Sequence, residues 1–296
     1  MNLTGTFTAL ITPFKTSGEI DWDTLEKIVR FQVENGIEGI VPCGTTGESP
    51  TLNHKEHREV IARVTKIAKE EKSDIIIIAG TGSNSTREAV ELTRAAAEDG
   101  ADFALSVNPY YNKPTQEGLY RHFSEIANAS KIPIVLYNIP GRTSVCLSID
   151  TIKKLASHEN IAGIKEATGD LNFMAEVIFE TPDDFALISG DDNLLLPILS
   201  LGGRGVISVI SNIFPKECGD ITRQYLSGKV EGASQIFKRI FPLCKAMFLE
   251  TNPIPVKFAA SYMGLCENIL RLPLTSVSKE NEIKITKAIE NFKADA

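Results

Sequence analysis

Eight short runs rich in Ile and Val recur along the chain at roughly even intervals, and they limit the possible folds more than any other feature of the sequence. They are Thr6 to Ile11, Gly39 to Cys43, Ile75 to Ala79, Phe103 to Val107, Ile134 to Tyr137, Ile161 to Lys165, Phe185 to Ser189 and Gly205 to Val209. Most are nearly continuous in their hydrophobicity rather than alternating, as strands covered on both faces must be. Between them lie helical patterns with start and stop signals. Asn53 with Glu56, and Ser85 with Glu88, have capping-box spacing, while Gly36 and Gly100 stand where helices should end. Strand and helix alternating eight times predict an α/β fold of the (β/α)8 TIM-barrel type, with a doubly wound open sheet as the alternative. After the last run the pattern changes: Glu231 to Leu249, Pro255 to Met263 and Lys279 to Phe292 read as helices with no strands between them. The expected organisation is a catalytic barrel over residues 1–228 and a C-terminal helical extension over 229–296, packed on the barrel because no flexible linker separates them.

Composition narrows the function classes. With 296 residues, 43% of them hydrophobic and 23% charged, the chain can bury a large core, and disorder is excluded. Its 31 basic against 38 acidic side chains give a net charge of -7, the wrong sign for wrapping phosphate backbones, so nucleic acid is not an expected partner. The start, Met1-Asn2-Leu3-Thr4-Gly5, lacks the basic and apolar regions of a secretion signal, and no apolar run approaches bilayer length. The expectation is a soluble cytoplasmic chain with no membrane partner. Five scattered cysteines, Cys43, Cys146, Cys218, Cys244 and Cys266, form neither zinc-site pairs nor a disulfide scaffold. Cys43 could be a reactive thiol, but a small buried apolar side chain is the simpler reading.

In such barrels chemistry gathers where strands end, so the residues after each run carry the information. The second run leads into Gly44-Thr45-Thr46-Gly47-Glu48, the fourth into Asn108-Pro109-Tyr110-Tyr111, and the fifth into Tyr137-Asn138 with Arg142 beyond. The sixth closes on Lys165-Glu166 and the seventh on Gly190-Asp191-Asp192. Lys165 is the sharpest signal: two-residue alternation places it on one face with Gly163 and Ile161, pointing into the barrel or a strand gap. Burial there disfavours the ammonium and frees an amine that attacks carbonyls, although an ion-paired lysine at the barrel mouth would look the same. Gly44 to Gly47 offers backbone N–H groups and two hydroxyls suited to a small carboxylate, or is merely a turn. Tyr137, Tyr110 and Tyr111 could pass protons, and Arg142 could fork onto a carboxylate, unless each is a rim or surface residue. Gly202-Gly203-Arg204-Gly205 precedes its strand and falls at the opposite end.

Five motifs together carry a resemblance: Gly44-Thr-Thr-Gly-Glu48, Tyr110-Tyr-Asn-Lys-Pro114, Tyr137-Asn-Ile-Pro-Gly-Arg-Thr143, Gly163-Ile-Lys-Glu-Ala167 and Asn252-Pro-Ile-Pro-Val-Lys257. The chain resembles the dihydrodipicolinate synthase family, within the pyruvate-dependent aldolases that also include N-acetylneuraminate lyase. The match runs from Gly5 through Leu274, nearly the whole chain. The resemblance implies a lyase of the diaminopimelate and lysine pathway, in which Lys165 forms an imine with pyruvate and the enamine attacks aspartate 4-semialdehyde. It implies a proton relay of Thr45, Tyr137 and Tyr111, the last supplied by a neighbouring subunit of a homotetramer. Thr46 matches the contact to the pyruvate carboxylate, Gly190 and Ile207 match backbone contacts near pyruvate, and Arg142 matches the residue that holds the semialdehyde carboxylate. No metal or organic cofactor is implied, because the lysine is itself the electron sink. Ser49, His54, His57, Asn84, Glu88 and Tyr110 match a site where feedback-sensitive members bind lysine, although Pro50 departs from the small residue often found there. A plainer account is open for this last site: Glu88 as the capping partner of Ser85, and His54 and His57 as exposed first-turn residues. The alternatives are another pyruvate aldolase, cleaving a sugar acid or hydroxy-oxo acid, and a non-catalytic member that binds pyruvate or lysine.

Overall fold

Each of the eight apolar runs forms a strand in the computed structural model, which describes residues 3–294. Met1 and Asn2, part of the N-terminal stretch read above, and the last two residues of the expected extension lie outside the described residues. The strands are β1 (Gly5–Ala9), β2 (Gly39–Val41), β3 (Ile76–Gly80), β4 (Phe103–Val107), β5 (Ile134–Asn138), β6 (Ile161–Glu166), β7 (Ala186–Ser189) and β8 (Gly205–Ser208). They pair in parallel in sequence order, and β8 returns to β1, so the sheet closes into a barrel and the open-sheet alternative falls. The helices among the strands are α1 (Trp22–Glu34), α2 (His54–Glu71), α3 (Thr86–Glu98), α4 (Gln116–Ala129), the short α5 (Pro140–Thr143), α6 (Ile149–Ala156), α7 (Leu171–Glu180) and α8 (Leu195–Leu201). α9 (Pro215–Leu226), α10 (Val230–Ala246), α11 (Ile254–Tyr262) and α12 (Lys279–Ala294) come after the last strand. Among the described residues no helix is long and apolar enough to cross a membrane.

Both faces of the sheet are apolar, which explains the unbroken runs. Alternate residues such as Phe7, Val41, Ile78, Leu105, Val135 and Ile207 fill the barrel interior. Their neighbours Ile40, Ile77, Ile134 and Ile164 face outward against helices. The C-terminal helices join the same outer core: Ile240, Leu243, Ile285 and Ile289 are buried with Leu25, Ile28 and Val60, and Phe214 meets Phe292 edge-on at 4.6 Å between ring centroids. Each such buried aliphatic side chain contributes about 2 kcal/mol of transfer free energy, so the extension is packed into the barrel's outer core.

Local signals explain the helix ends. Asn53 and Glu56 form the full capping box at the start of α2, each side chain bonding the other's backbone N–H. The second expected box fails. Ser85 makes no side-chain cap bond at α3, and Glu88 instead accepts from the hydroxyl of Ser83. Gly36 and Gly100 end α1 and α3 with φ of +75° and +87°, the left-handed geometry that stops helices. The run Gly202 to Gly205 closes the barrel rather than binding a ligand: a Cβ on Gly205 would collide with the carbonyl oxygen of Gly5 across the β1–β8 seam.

Candidate active site

The chemistry of Lys165 begins with a register shift in β6. Ile134 of β5 pairs with Ile161, but the next residue, Val135, pairs with Gly163, so Ala162 is an extra residue in the strand. The insertion exchanges the faces of the residues after it. Ile161 packs in the outer core against the helices, whereas Gly163 and Lys165 turn inward beside Val135 and Tyr137. The expectation that Ile161 shares a face with Lys165 is therefore corrected; the bulge breaks the alternation between them.

Lys165 ends in a cavity of about 90 Å³ at the C-terminal mouth of the barrel, and only 7% of its surface is exposed. Its Nζ sits 4.1 Å from the centre of the Tyr137 ring, its register partner on β5. Lys165 forms no ion pair among the described residues. Asp191, just after β7, feels it from a distance: burial pushes the Asp191 carboxyl up, and the charge of Lys165 pulls it back. Gly190 makes room for the lysine stem, because a Cβ there would meet Ala167 Cβ at 2.6 Å and Lys165 Cε at 3.3 Å.

Thr45, Thr46, Arg142, Gly190 and Ile207 line the same cavity. The loop from Gly44 to Glu48 is gripped from the far end of the sequence. The Asn252 side-chain amide donates to Thr46 Oγ1 at 3.0 Å, and Glu48 is ion-paired with Lys257, both side chains being fully buried. Arg142, on α5, donates to the backbone oxygen of Asn252 at 2.9 Å. Below α5, Asn108 donates to Asn138 at 2.8 Å, and Asn138 donates to Glu166 at 2.8 Å. Leu147 N–H bonds Asn138 Oδ1 at 3.0 Å, which ties the segment after α5 to the strand ends. Burial pushes the Glu166 carboxyl up, while its bonds from Asn138 and Thr168 hold it down.

A second cavity of about 400 Å³ adjoins the first, sharing Thr45, Ser49 and Arg142 in its wall. Ser49, His54, His57, Glu88 and Tyr110 all line it. Asn84 stands beside it, donating to the Tyr110 carbonyl at 3.2 Å. His54 Nε2 lies 2.9 Å from Glu88. The plain account of these residues is corrected on two points: Glu88 is no capping partner of Ser85, and His57 is buried at 7% exposure, where desolvation pushes its imidazole below the usual histidine range. His54 is exposed as expected. Cys43 is buried and its thiol is pushed up by desolvation, an unreactive state.

Tyr111 is not brought to Lys165. It is 90% exposed and holds a left-handed φ of +72°, uncommon for an aromatic residue, while Tyr110 beside it is 42% exposed.

A buried lysine on the sixth strand thus shares one cavity with two threonines, a tyrosine and an arginine. The model of the Dihydrodipicolinate synthetase family matches residues 2–292. The chain belongs to this family. Among dihydrodipicolinate synthetase relatives, the 4-hydroxy-tetrahydrodipicolinate synthase of Leptospira biflexa is 55% identical over 93% of this chain and 92% of its own. The structure of the chloride-inhibited dihydrodipicolinate synthase of Acinetobacter baumannii complexed with pyruvate superposes with a TM-score of 0.96 at 44% identity, covering 99% of each chain. That of the Cyanidioschyzon merolae enzyme with lysine bound gives 0.95 at 42% identity, again over 99% of each chain. The family membership accords with the motifs Gly44 to Glu48 and Gly163 to Ala167, whose residues meet in one cavity. What the strand-end reading of this family member overlooks is the contribution of the extension: Phe248 and Asn252 also line the site. The signal was present in Asn252-Pro-Ile-Pro-Val-Lys257, but nothing local to that motif says which loop it reaches.

Proposed function

We propose that Lys165 is the Schiff-base nucleophile through which this chain condenses pyruvate with aspartate 4-semialdehyde to give 4-hydroxy-tetrahydrodipicolinate. The observation that carries the proposal is the buried amine of Lys165 in a cavity walled by Thr45, Thr46, Tyr137 and Arg142. The Lys165 amine adds to the pyruvate ketone and water leaves, giving an imine. Loss of a methyl proton gives the enamine, whose carbon adds to the semialdehyde aldehyde. The semialdehyde's own amine then displaces the lysine at the imine carbon, closing the ring and regenerating the enzyme; one water is released overall. Thr46 holds the pyruvate carboxylate, Gly190 and Ile207 offer backbone contacts near pyruvate, and Arg142 holds the semialdehyde carboxylate. Thr45 and Tyr137 pass protons with Tyr111, contributed by a second copy of the chain. Its 90% exposure in this chain and its fixed left-handed backbone support a partner that receives it. A homotetramer is the assembly proposed, with residues 1–228 as the catalytic barrel and 229–296 as an extension that contributes to the site.

The second cavity is proposed as a lysine site formed by Ser49, His54, His57, Asn84, Glu88 and Tyr110. The lysine-bound relative supports it, and the shared wall offers a direct route to Thr45 and Arg142. Glu88 suits an ammonium and Ser49 a carboxylate.

The test is oxidation of NADPH by a coupled dihydrodipicolinate reductase supplied with this protein and both substrates. Activity that needs both substrates and vanishes in Lys165→Ala, together with a borohydride-trapped pyruvate adduct on Lys165, supports the reading. A folded enzyme that traps pyruvate but ignores the semialdehyde overturns it in favour of a sugar-acid or hydroxy-oxo-acid aldolase. A pyruvate-saturated assay indifferent to lysine at millimolar concentration sinks the regulatory site.

A further inference from the structure

We infer that Asn252, from the C-terminal extension, is a positioning residue that aims the hydroxyl proton of Thr46 at the substrate carboxylate. The inference rests on the proposed role of Thr46 and goes beyond it, because it assigns the direction of a hydrogen bond and the residue that sets it.

A threonine hydroxyl carries one proton and can accept two bonds. Asn252 Nδ2 lies 3.0 Å from Thr46 Oγ1, and the two residues are buried, with 5% and 3% of their surface exposed. An amide N–H pointed at Oγ1 fills one acceptor position and sends the Thr46 proton elsewhere, into the cavity that both residues line with Lys165. A carboxylate accepts hydrogen bonds and cannot donate them, so a hydroxyl whose proton is already turned toward the cavity is pre-set to receive it. The opposite orientation of the amide would take the Thr46 proton and leave the NH2 group at the present Oδ1 position, where it has no acceptor. The observed orientation leaves only Asn252 Oδ1 without a partner, the milder defect for a buried amide.

Two further contacts keep Asn252 in place. Its backbone oxygen accepts from Arg142 at 2.9 Å, so one residue touches both groups assigned to substrate carboxylates. Five residues on, Lys257 locks Glu48, two residues beyond Thr46, in a fully buried pair. The loop and the extension are thus joined at these points and through the Arg271 N–H to Glu48, and of these groups only the Asn252 side chain acts on the hydroxyl proton. Side-chain substitutions at Asn252 leave the backbone bond to Arg142 available and isolate that action.

Asp and Asn have the same shape, but an ionised aspartate in place of Asn252 could only accept. It would draw the Thr46 proton away from the cavity and turn a lone pair toward the substrate. The test is borohydride trapping of pyruvate across a concentration series, which needs no semialdehyde, applied to Asn252→Ala, Asn252→Asp, Thr46→Val and the double variant Asn252→Ala/Thr46→Val. Expected are a rise on the order of fivefold in the pyruvate half-saturation concentration for Asn252→Ala and on the order of a hundredfold for Asn252→Asp. Asn252→Ala should add nothing in the Thr46→Val background. An equal effect of Asn252→Ala with and without the Thr46 hydroxyl, or no effect in either, overturns the inference. If Thr46→Val itself leaves pyruvate saturation unchanged, the proposed role of Thr46 fails first, and this inference fails with it.

Discussion

Removing the charge of Lys257 tests how the extension holds the loop that carries Thr45 and Thr46. Lys257 and Glu48 are both fully buried and paired, and Glu48 keeps one further donor, the backbone N–H of Arg271 at 3.0 Å. Lys257→Met preserves most of the volume of the stem, so cavity formation adds little. It leaves the Glu48 carboxylate in the interior with a single neutral donor. Breaking a buried pair from one side costs about 3–5 kcal/mol. The Lys257 ammonium also lies 4.2 Å from the centre of the Phe14 ring, a contact worth about 1 kcal/mol that a methionine sulfur partly replaces. The expected total is thus about 4 kcal/mol, or a drop on the order of 10 °C in Tm for a chain of this size. The double variant Glu48→Gln/Lys257→Met removes both charges and should recover at least about 2 kcal/mol of that loss. Urea unfolding followed by circular dichroism at one fixed protein concentration measures Lys257→Met, Glu48→Gln and the double variant. A single variant that costs less than about 1 kcal/mol, or a double variant whose loss is the sum of the singles, would refute the claim that the pair is a coupled buried clamp.

Three further outcomes are expected from other parts of the structure. Arg142→Ala should leave pyruvate trapping on Lys165 intact while lowering kcat/KM for the semialdehyde by about 100-fold, the cost of losing a charged hydrogen-bonding partner; steady-state kinetics in the coupled assay checks it. Gly190→Ala should keep the barrel folded yet slow imine trapping at least about tenfold, because the new Cβ meets Ala167 Cβ at 2.6 Å, so the chain just after Lys165 must shift while the lysine stem at 3.3 Å is also crowded; a trapping rate equal to wild type would contradict this. His122, 5% exposed with Nδ1 against Thr86 Oγ1 at 2.9 Å, is pushed by burial from 6.5 down to about 4. Its folded form binds a proton less readily than its unfolded form, so stability is present above pH 6.5 and falls as pH drops toward 4. The contribution is about 3 kcal/mol. His122→Gln should flatten that part of the profile of urea stability against pH; an unchanged slope would show that His122 does not supply it.

The barrel was legible because covering both faces of a strand demands a nearly continuous apolar run, and eight such runs could hardly do anything else. Strand limits were less so. Leu10 and Ile11 look like strand residues, but β1 ends at Ala9 and they continue as loop buried in the outer core. Lys165 was found from its place at the end of a run, yet the face of Ile161 was misjudged because Ala162 carries no mark of being the extra residue. Glu88 had capping spacing to Ser85, and the competing hydroxyl of Ser83, two residues earlier, took it. His57 looked exposed because the first turn of a helix commonly is; here the turn faces the barrel mouth, where a backbone group of Gly80 meets the ring. Asn252 and Thr46 are 206 residues apart, and no local pattern reports a contact of that span.

The extra residue in β6 acts as a parity switch for everything downstream of it. Side chains alternate inward and outward with a period of two, so one inserted residue exchanges the two sets. Were Ala162 paired as a regular strand residue, Lys165 would turn toward the helices and Ile164 and Glu166 into the barrel; deleting Ala162 takes out only the extra residue, keeps Lys165 opposite Tyr137 and should preserve imine trapping. Grafting the lysine motif onto another barrel therefore demands the right pairing upstream, not only the right residues.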